Sequence, residues 1–188
     1  KRNIRKVAVL GSGVMGSRIA CHFANTGTEV LLLDIAPKEG TDSTSAKASA
    51  DAKNKIVNDA LTAAIKSSPA PLYDARFAKR ISTGNFDDDL PKIKDCDWII
   101  EVVIERLDIK QQVLANVEKY RTPGTLITSN TSGIPIHAIA QGRSDDFRKH
   151  FCGTHFFNPP RYLPLLELIP GPDTDAFVLE FLEDYGQR

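Results

Sequence analysis

The sequence predicts an α/β fold: a doubly wound, mostly parallel sheet with a helical excursion after the second strand, built as one domain over residues 1–188. Two observations carry this expectation. Short apolar runs alternate with stretches of helical period along the chain. The first strand–helix–strand unit also closes within roughly 30 residues, the length a parallel crossover requires. A chain of 188 residues holds one domain with a sizeable core and would crowd two.

Residues 7–10 (VAVL) are the first buried strand, ended by Gly11. Residues 15–25 keep Ile19, Ala20, Phe23 and Ala24 on one helical face until Thr26-Gly27 stops the helix. Residues 30–33 repeat the buried-strand pattern and close on Asp34. Residues 43–66 differ in kind: rich in Ala, Lys, Asp and Asn, with Ile56, Leu61 and Ile65 sparsely spaced, they predict a long exposed helix that leaves the sheet. Pro69 and Pro71 break it, residues 74–79 make a short return helix, and residues 81–83 a short strand.

Residues 97–103 form the third apolar run, followed by an amphipathic helix over 107–120 through Ile109, Val113, Leu114 and Val117. A strand over 125–129, a short helix over 135–140, strands over 153–157 and 165–169 and a last helix over 173–185 complete the order. Pro164 has no amide hydrogen to donate, so the last strand begins there or lies at an edge of the sheet.

Composition narrows the function classes. Lys+Arg and Asp+Glu are both 24, so no net field gathers nucleic acid or an anionic membrane. No stretch approaches a membrane span, and the basic start lacks the apolar core of a signal peptide. Cys21, Cys96 and Cys152 stand singly, with no CxxC and no His/Cys cluster to hold a metal; they read as buried or free thiols of a reducing, cytoplasmic compartment.

Gly11-Ser12-Gly13-Val14-Met15-Gly16 fits GxGxxG between a predicted strand and a predicted helix. The first glycine allows the tight turn, the second lets backbone approach a pyrophosphate, and the third lets the helix lie close to the strand. The helix N-terminus then presents free N–H groups to the diphosphate. Asp34 ends the next strand, 18 residues after Gly16, where a carboxylate accepts from the adenine ribose hydroxyls and repels a 2′-phosphate. The unit is therefore Rossmann-like, and its expected cofactor is NAD rather than NADP, held by Gly11, Gly13, Val14, Met15, Gly16 and Asp34.

Three further segments extend the pattern: EVVIERLDIK from Glu101 to Lys110, SNTS from Ser129 to Ser132, and GTHFFNP from Gly153 to Pro159. With the glycine turn, the chain resembles the NAD-binding domain of the L-3-hydroxyacyl-CoA dehydrogenases over essentially its whole length. The resemblance implies oxidation of a 3-hydroxyacyl-CoA to the 3-ketoacyl-CoA, as in fatty-acid β-oxidation, with NAD as acceptor and an acyl-CoA as substrate partner. It assigns His155 as the catalytic base and Glu167, 12 residues on, as its partner carboxylate. Histidine suits the role because its side chain gains and loses a proton near operating pH. The carboxylate would fix the ring and stabilise the imidazolium. Ser132 matches the residue that meets the substrate oxygen and the nicotinamide end, and Asn158 the one at the nicotinamide ribose. Glu105 and Lys110 match positions near the cofactor, against the alternative of a solvated surface pair.

The resemblance also implies that the helical excursion helps to hold CoA, with Lys47, Lys53, Lys55 and Lys66 as cations for its phosphates, against the alternative of a solvated face. The family continues into a helical domain that closes over substrate and forms the dimer. Residues 1–188 lie before it and are expected to bind NAD while turning over weakly alone. Two rivals stand beside this reading. One is a β-hydroxyacid dehydrogenase of the 6-phosphogluconate or 3-hydroxyisobutyrate type, which shares the first unit but relies on a lysine. The other is a non-catalytic NAD-binding or structural module, since lens crystallins are among the family's relatives.

Overall fold

In the central strands nearly every residue is apolar, which suits a parallel sheet covered on both faces. The computed structural model describes residues 2–38 and 46–187. Among them, β1 (Lys6–Leu10), β2 (Glu29–Asp34), β3 (Ile81–Asn85), β4 (Trp98–Glu101), β5 (Leu126–Ser129), β6 (Phe151–Phe156) and β7 (Leu166–Pro170) form one sheet in the order β3-β2-β1-β4-β5-β6-β7. All neighbours are parallel except β6 and β7. The expected fold class is the one observed, and β7 is the edge strand that Pro164 pointed to, starting two residues after it.

Strand alternation divides the apolar residues between two layers. Val7, Val9, Val30, Leu32 and Ile100 face one cluster, with Ile19 and Phe23 of α1 (Val14–Asn25). Ala8, Leu10, Leu31, Leu33 and Ile99 face the other, with Leu114 and Val117 of α5 (Leu107–Tyr120). Trp98 packs edge-on against Phe23, ring centres 5.3 Å apart, and its indole N–H donates to Thr128 at 2.9 Å. The buried polar atom is thus satisfied while the ring fills the core.

The excursion after β2 is not one continuous helix. The expected single helix is divided into α2 (Ala46–Lys53) and α3 (Lys55–Ile65), with Asn54 between them. Asn54 also accepts from the Asn85 side-chain amide at 2.8 Å, which ties the break to the end of β3. Rather than leaving the sheet, α3 brings Val57, Leu61 and Ile65 to the α1 layer. The expected start over residues 43–45 lies outside the described residues, as does the side chain of Lys47. The return helix is a 3₁₀ segment, Ala75–Arg80, capped by the Asp74 side chain. Short helices α4 (Phe86–Asp89), α6 (Ile136–Ile139) and α7 (Asp145–Lys149) line the second layer, and α8 (Ala176–Gly186) closes the first with Val178 and Leu182.

The chain winds outward from β1 to β3 and then crosses back to β4 on the other side of β1. The crossovers on either side of that reversal leave in opposite directions and open a crevice at the carboxyl ends of β1 and β4, where ligands bind in open α/β sheets.

Candidate active site

At that reversal lies a cleft of about 830 Å³, bounded by the glycine turn, Asp34, the segment from Val102 to Glu105 and Asn130. Gly11 has φ +108°, and a Cβ there would come within 2.5 Å of the Val102 carbonyl oxygen. A Cβ on Gly16 would meet the Gly11 carbonyl oxygen at 1.8 Å. These two glycines are therefore required by the fold itself. At Gly13 a Cβ would meet nothing within 4 Å. The protein has no steric need for glycine there, whereas a ligand lying against the backbone would. Gly13 also caps α1 without any side-chain hydrogen bond, so the first amides of the helix keep their donors for an anion. The cradle fits a dinucleotide.

Asp34 closes the far side of the turn. Its carboxylate accepts from the Ser12 amide at 2.8 Å, from the Ser12 hydroxyl and from the Ile35 amide at 2.7 Å. Three of roughly four acceptor positions are thereby used and the group is fixed in place, with capacity left for a ribose hydroxyl. Val14, Ile35 and Ile104 are largely exposed and all line the cleft. Apolar walls beside a fixed carboxylate suit an adenosine.

Deeper in, three charged residues form one cluster. Lys110 is 1% exposed and Glu101 is fully buried; their side chains meet at 2.9 Å. Lys110 also reaches Glu105 at 3.1 Å and the Val103 carbonyl at 3.2 Å. Glu105 spends its other oxygen on the loop after β5, accepting from the Thr131 hydroxyl at 2.5 Å and the amides of Ser132 and Gly133 at 3.1 and 3.2 Å. Partial burial pushes the Glu105 carboxyl up, but the hydrogen bonds from Thr131, Lys110 and Gly133 outweigh it and hold the group down at about 2. Of the two expected cofactor neighbours, Glu105 lines the cleft, while Lys110 lies beneath its wall with its ammonium occupied. The solvated surface pair is excluded for Lys110.

His155 and Glu167 are register partners on β6 and β7. His155 Nδ1 lies 2.8 Å from Glu167 Oε2. A carboxylate can only accept, so Nδ1 carries the proton and Nε2 is left as the free acceptor. Phe157 packs edge-on against the imidazole, ring centres 4.8 Å apart. Ser132 and Asn158 are exposed on the loops that follow β5 and β6, strands paired up to Ser129 and Gly153. Asn130 joins these two ends: its side chain accepts from the Phe156 amide at 2.8 Å and its own amide donates to the Glu101 carbonyl at 2.9 Å.

Sequence reasoning passed over Glu101 and Asn130, although both lie in the quoted segments. The available signal for Glu101 was a lone carboxylate inside the apolar run WIIEVVI. For the excursion, Lys53 is paired with Asp88 at 2.9 Å and Lys55 with Asp59 at 2.5 Å, so two of the four cations already have carboxylate partners. Among the described residues, no helix is long and apolar enough to cross a membrane.

The family model for the 3-hydroxyacyl-CoA dehydrogenase NAD-binding domain matches residues 6–188. A probable 3-hydroxyacyl-CoA dehydrogenase of Bacillus subtilis is 48% identical over 191 residues, covering 100% of this chain and 24% of that protein. Another from Deinococcus radiodurans is 44% identical over 185 residues, covering 98% and 51%. The chain thus spans a quarter of one relative and half of the other. The crystal structure of 3-hydroxybutyryl-CoA dehydrogenase from Escherichia coli K12 superposes with a TM-score of 0.72 at 33% identity, over 98% of this chain and 36% of that one.

Proposed function

The chain belongs to the 3-hydroxyacyl-CoA dehydrogenase family, as its NAD-binding domain, and from that premise we propose that it serves the oxidation of an L-3-hydroxyacyl-CoA to the 3-ketoacyl-CoA, with His155 as base. The observation that carries the proposal is the His155–Glu167 pair at 2.8 Å, placed at the same end of the sheet as the nucleotide cleft.

NAD, when bound, supplies the acceptor for the hydride that leaves the carbinol carbon. The glycine turn and the open N-terminus of α1 hold its diphosphate, and Asp34 its adenine ribose. Nε2 of His155 takes the hydroxyl proton as the C–O bond gains its second bond, and Glu167 stabilises the imidazolium so formed. Ser132 donates to the substrate oxygen, and Asn158 reaches the nicotinamide ribose. General-base help of this kind is worth about 10²–10⁴ in rate.

In the same reading residues 1–188 are the NAD-binding domain, while dimer formation and closure over the acyl chain fall to residues outside them. Three buried free thiols support a reducing, cytoplasmic location. The test is to assay the intact protein with a 3-hydroxyacyl-CoA and NAD, following absorbance of NADH, beside its His155→Gln variant. NAD reduction by the wild type and its loss in the variant, with NADH affinity kept, is the expected result. Equal rates in the two would overturn the assignment of the base.

A further inference from the structure

A buried ion cluster is a poor device for stability alone, because well-packed apolar residues of the same volume serve as well or better. Glu101, Lys110 and Glu105 place two carboxylates and one ammonium together, two of the three side chains essentially without solvent. Every group that Glu101 touches lies at the carboxyl edge of the sheet, where the site is. Its Oε1 accepts from the Val103 amide at 2.7 Å and from Lys110 at 2.9 Å. Its Oε2 accepts from the Ser129 hydroxyl at 2.5 Å and from Lys110 at 3.2 Å.

We propose that Glu101 is a positioning residue for the 131–133 loop: it anchors Lys110, Lys110 sets Glu105, and Glu105 holds the amides of Ser132 and Gly133, just beyond the cleft-lining Asn130. The inference rests on the reading of Ser132 as the residue that meets substrate, and deepens it. The direction of the effect follows from the charges. Lys110 is shared between Glu101 on its inner side and Glu105 on its outer side. Without the inner carboxylate, the ammonium keeps only Glu105 and the Val103 carbonyl, and it draws Glu105 inward. That motion stretches the bonds from Glu105 to Thr131, Ser132 and Gly133, and the loop loses its common acceptor. Glu101 thus acts on the loop through two intermediate side chains, Lys110 and Glu105, and also directly where Ser129 ends β5.

The test is amide hydrogen exchange in the nucleotide-free protein, read residue by residue, for Glu101→Gln, Glu105→Gln and the double variant. Glu101→Gln keeps the shape and removes the charge. It is expected to speed exchange at Ser132 and Gly133 by about tenfold while leaving the interior amides of β1 unchanged, since local opening has its own free energy. In the Glu105→Gln background the same substitution is expected to change those two amides by less than about twofold, because residues acting through one another are not additive. Equal acceleration in both backgrounds, or none in the first, overturns the proposal. Should Glu101→Gln fail to fold, Ser129→Ala removes one bond to Glu101 and leaves its charge. It is expected to speed the same two amides by roughly twofold, and no change there overturns the proposal. A parallel NADH titration keeps the two readings separate. If the wild type binds no NADH while the exchange pattern holds, the cofactor reading fails and the role of Glu101 stands.

Discussion

His155 and Glu167 face one another across the antiparallel β6–β7 pair, with side chains 2.8 Å apart. Cross-strand placement fixes both the distance and the direction of the imidazole, so the two residues act as a unit. In the intact protein, His155→Gln is expected to lower kcat by about 10²–10⁴. Glu167→Gln keeps the shape but removes the charge that favours imidazolium, and about 10²-fold or more is expected. Steady-state rates with NADH affinity measured alongside check both. A loss of nucleotide affinity equal to the loss of rate would mean that the pair holds the fold rather than the proton.

Two glycines of the turn, Gly16 and Gly13, are expected to fail in different ways. Gly16→Ala drives a methyl into the Gly11 carbonyl at 1.8 Å, so the helix must shift and the melting temperature falls, by several degrees for a loss of about 1–3 kcal/mol. Gly13→Ala meets no protein atom, so stability is kept and only NADH affinity drops. Melting curves and nucleotide titrations on both variants separate the two kinds of glycine. A stable Gly13→Ala that binds NADH as well as wild type would remove the pyrophosphate from this turn.

Asp34 is expected to set both affinity and cofactor choice. Asp34→Asn removes the charge that repels a 2′-phosphate and weakens a bond to the ribose. NADH affinity is expected to fall about tenfold, near 1.4 kcal/mol, and the preference over NADPH to narrow. Paired titrations with the two dinucleotides measure it, and an unchanged preference would assign selectivity elsewhere.

Acid is expected to weaken the 131–133 loop. The Glu105 carboxyl is held at about 2, below its ordinary 4.5, so its stabilising contribution is complete above the ordinary value and is lost as pH falls toward 2. With 43% of the side chain exposed, solvent screens the effect to about 1 kcal/mol or less. Wild type is therefore expected to lose more stability than Glu105→Gln between pH 5 and pH 2.5, the former side of the interval being where the carboxylate is fully charged. Denaturant midpoints at the two pH values provide the comparison.

Burial pushes the Cys21 thiol up to about 11, and those of Cys96 and Cys152 up to about 12. Little thiolate exists at neutral pH, and none of the three presents itself at the surface. Alkylation of native protein is expected to be slow at all three and fast in denaturant, as mass spectrometry of labelled peptides would record. Rapid native labelling at any one would place it on a mobile, opening segment.

Much of this architecture can be read along the chain because it is local. The runs that became β1, β2 and β4 are apolar on both faces, and the glycine turn declares its strand and helix neighbours within a few residues. The family motif led to His155 and Glu167, whose pairing the strands then enforce. What stayed hidden depends on partners distant in sequence. The break at Asn54 follows from a bond to Asn85, 31 positions away. The helix Phe86–Asp89 is an acidic stretch capped by Asn85, and Asp145–Lys149 is capped by Ser144; both are too short to show an apolar period and went unassigned in the sequence. Glu101 lay inside the apolar run over 97–103, and its partner Lys110 lies across a loop, at a spacing no helix or strand period picks out.

The nucleotide cleft is built from the middle of the sheet, whereas His155 and Glu167, the proposed base and its carboxylate, sit on the last two strands, and among the described residues β7 has a strand neighbour on one side only. Heat or denaturant reaches such a margin before it reaches the interior. An ageing or heat-stressed molecule would then keep its grip on the dinucleotide after it had ceased to turn over, and nucleotide binding alone would overcount the competent molecules in a preparation.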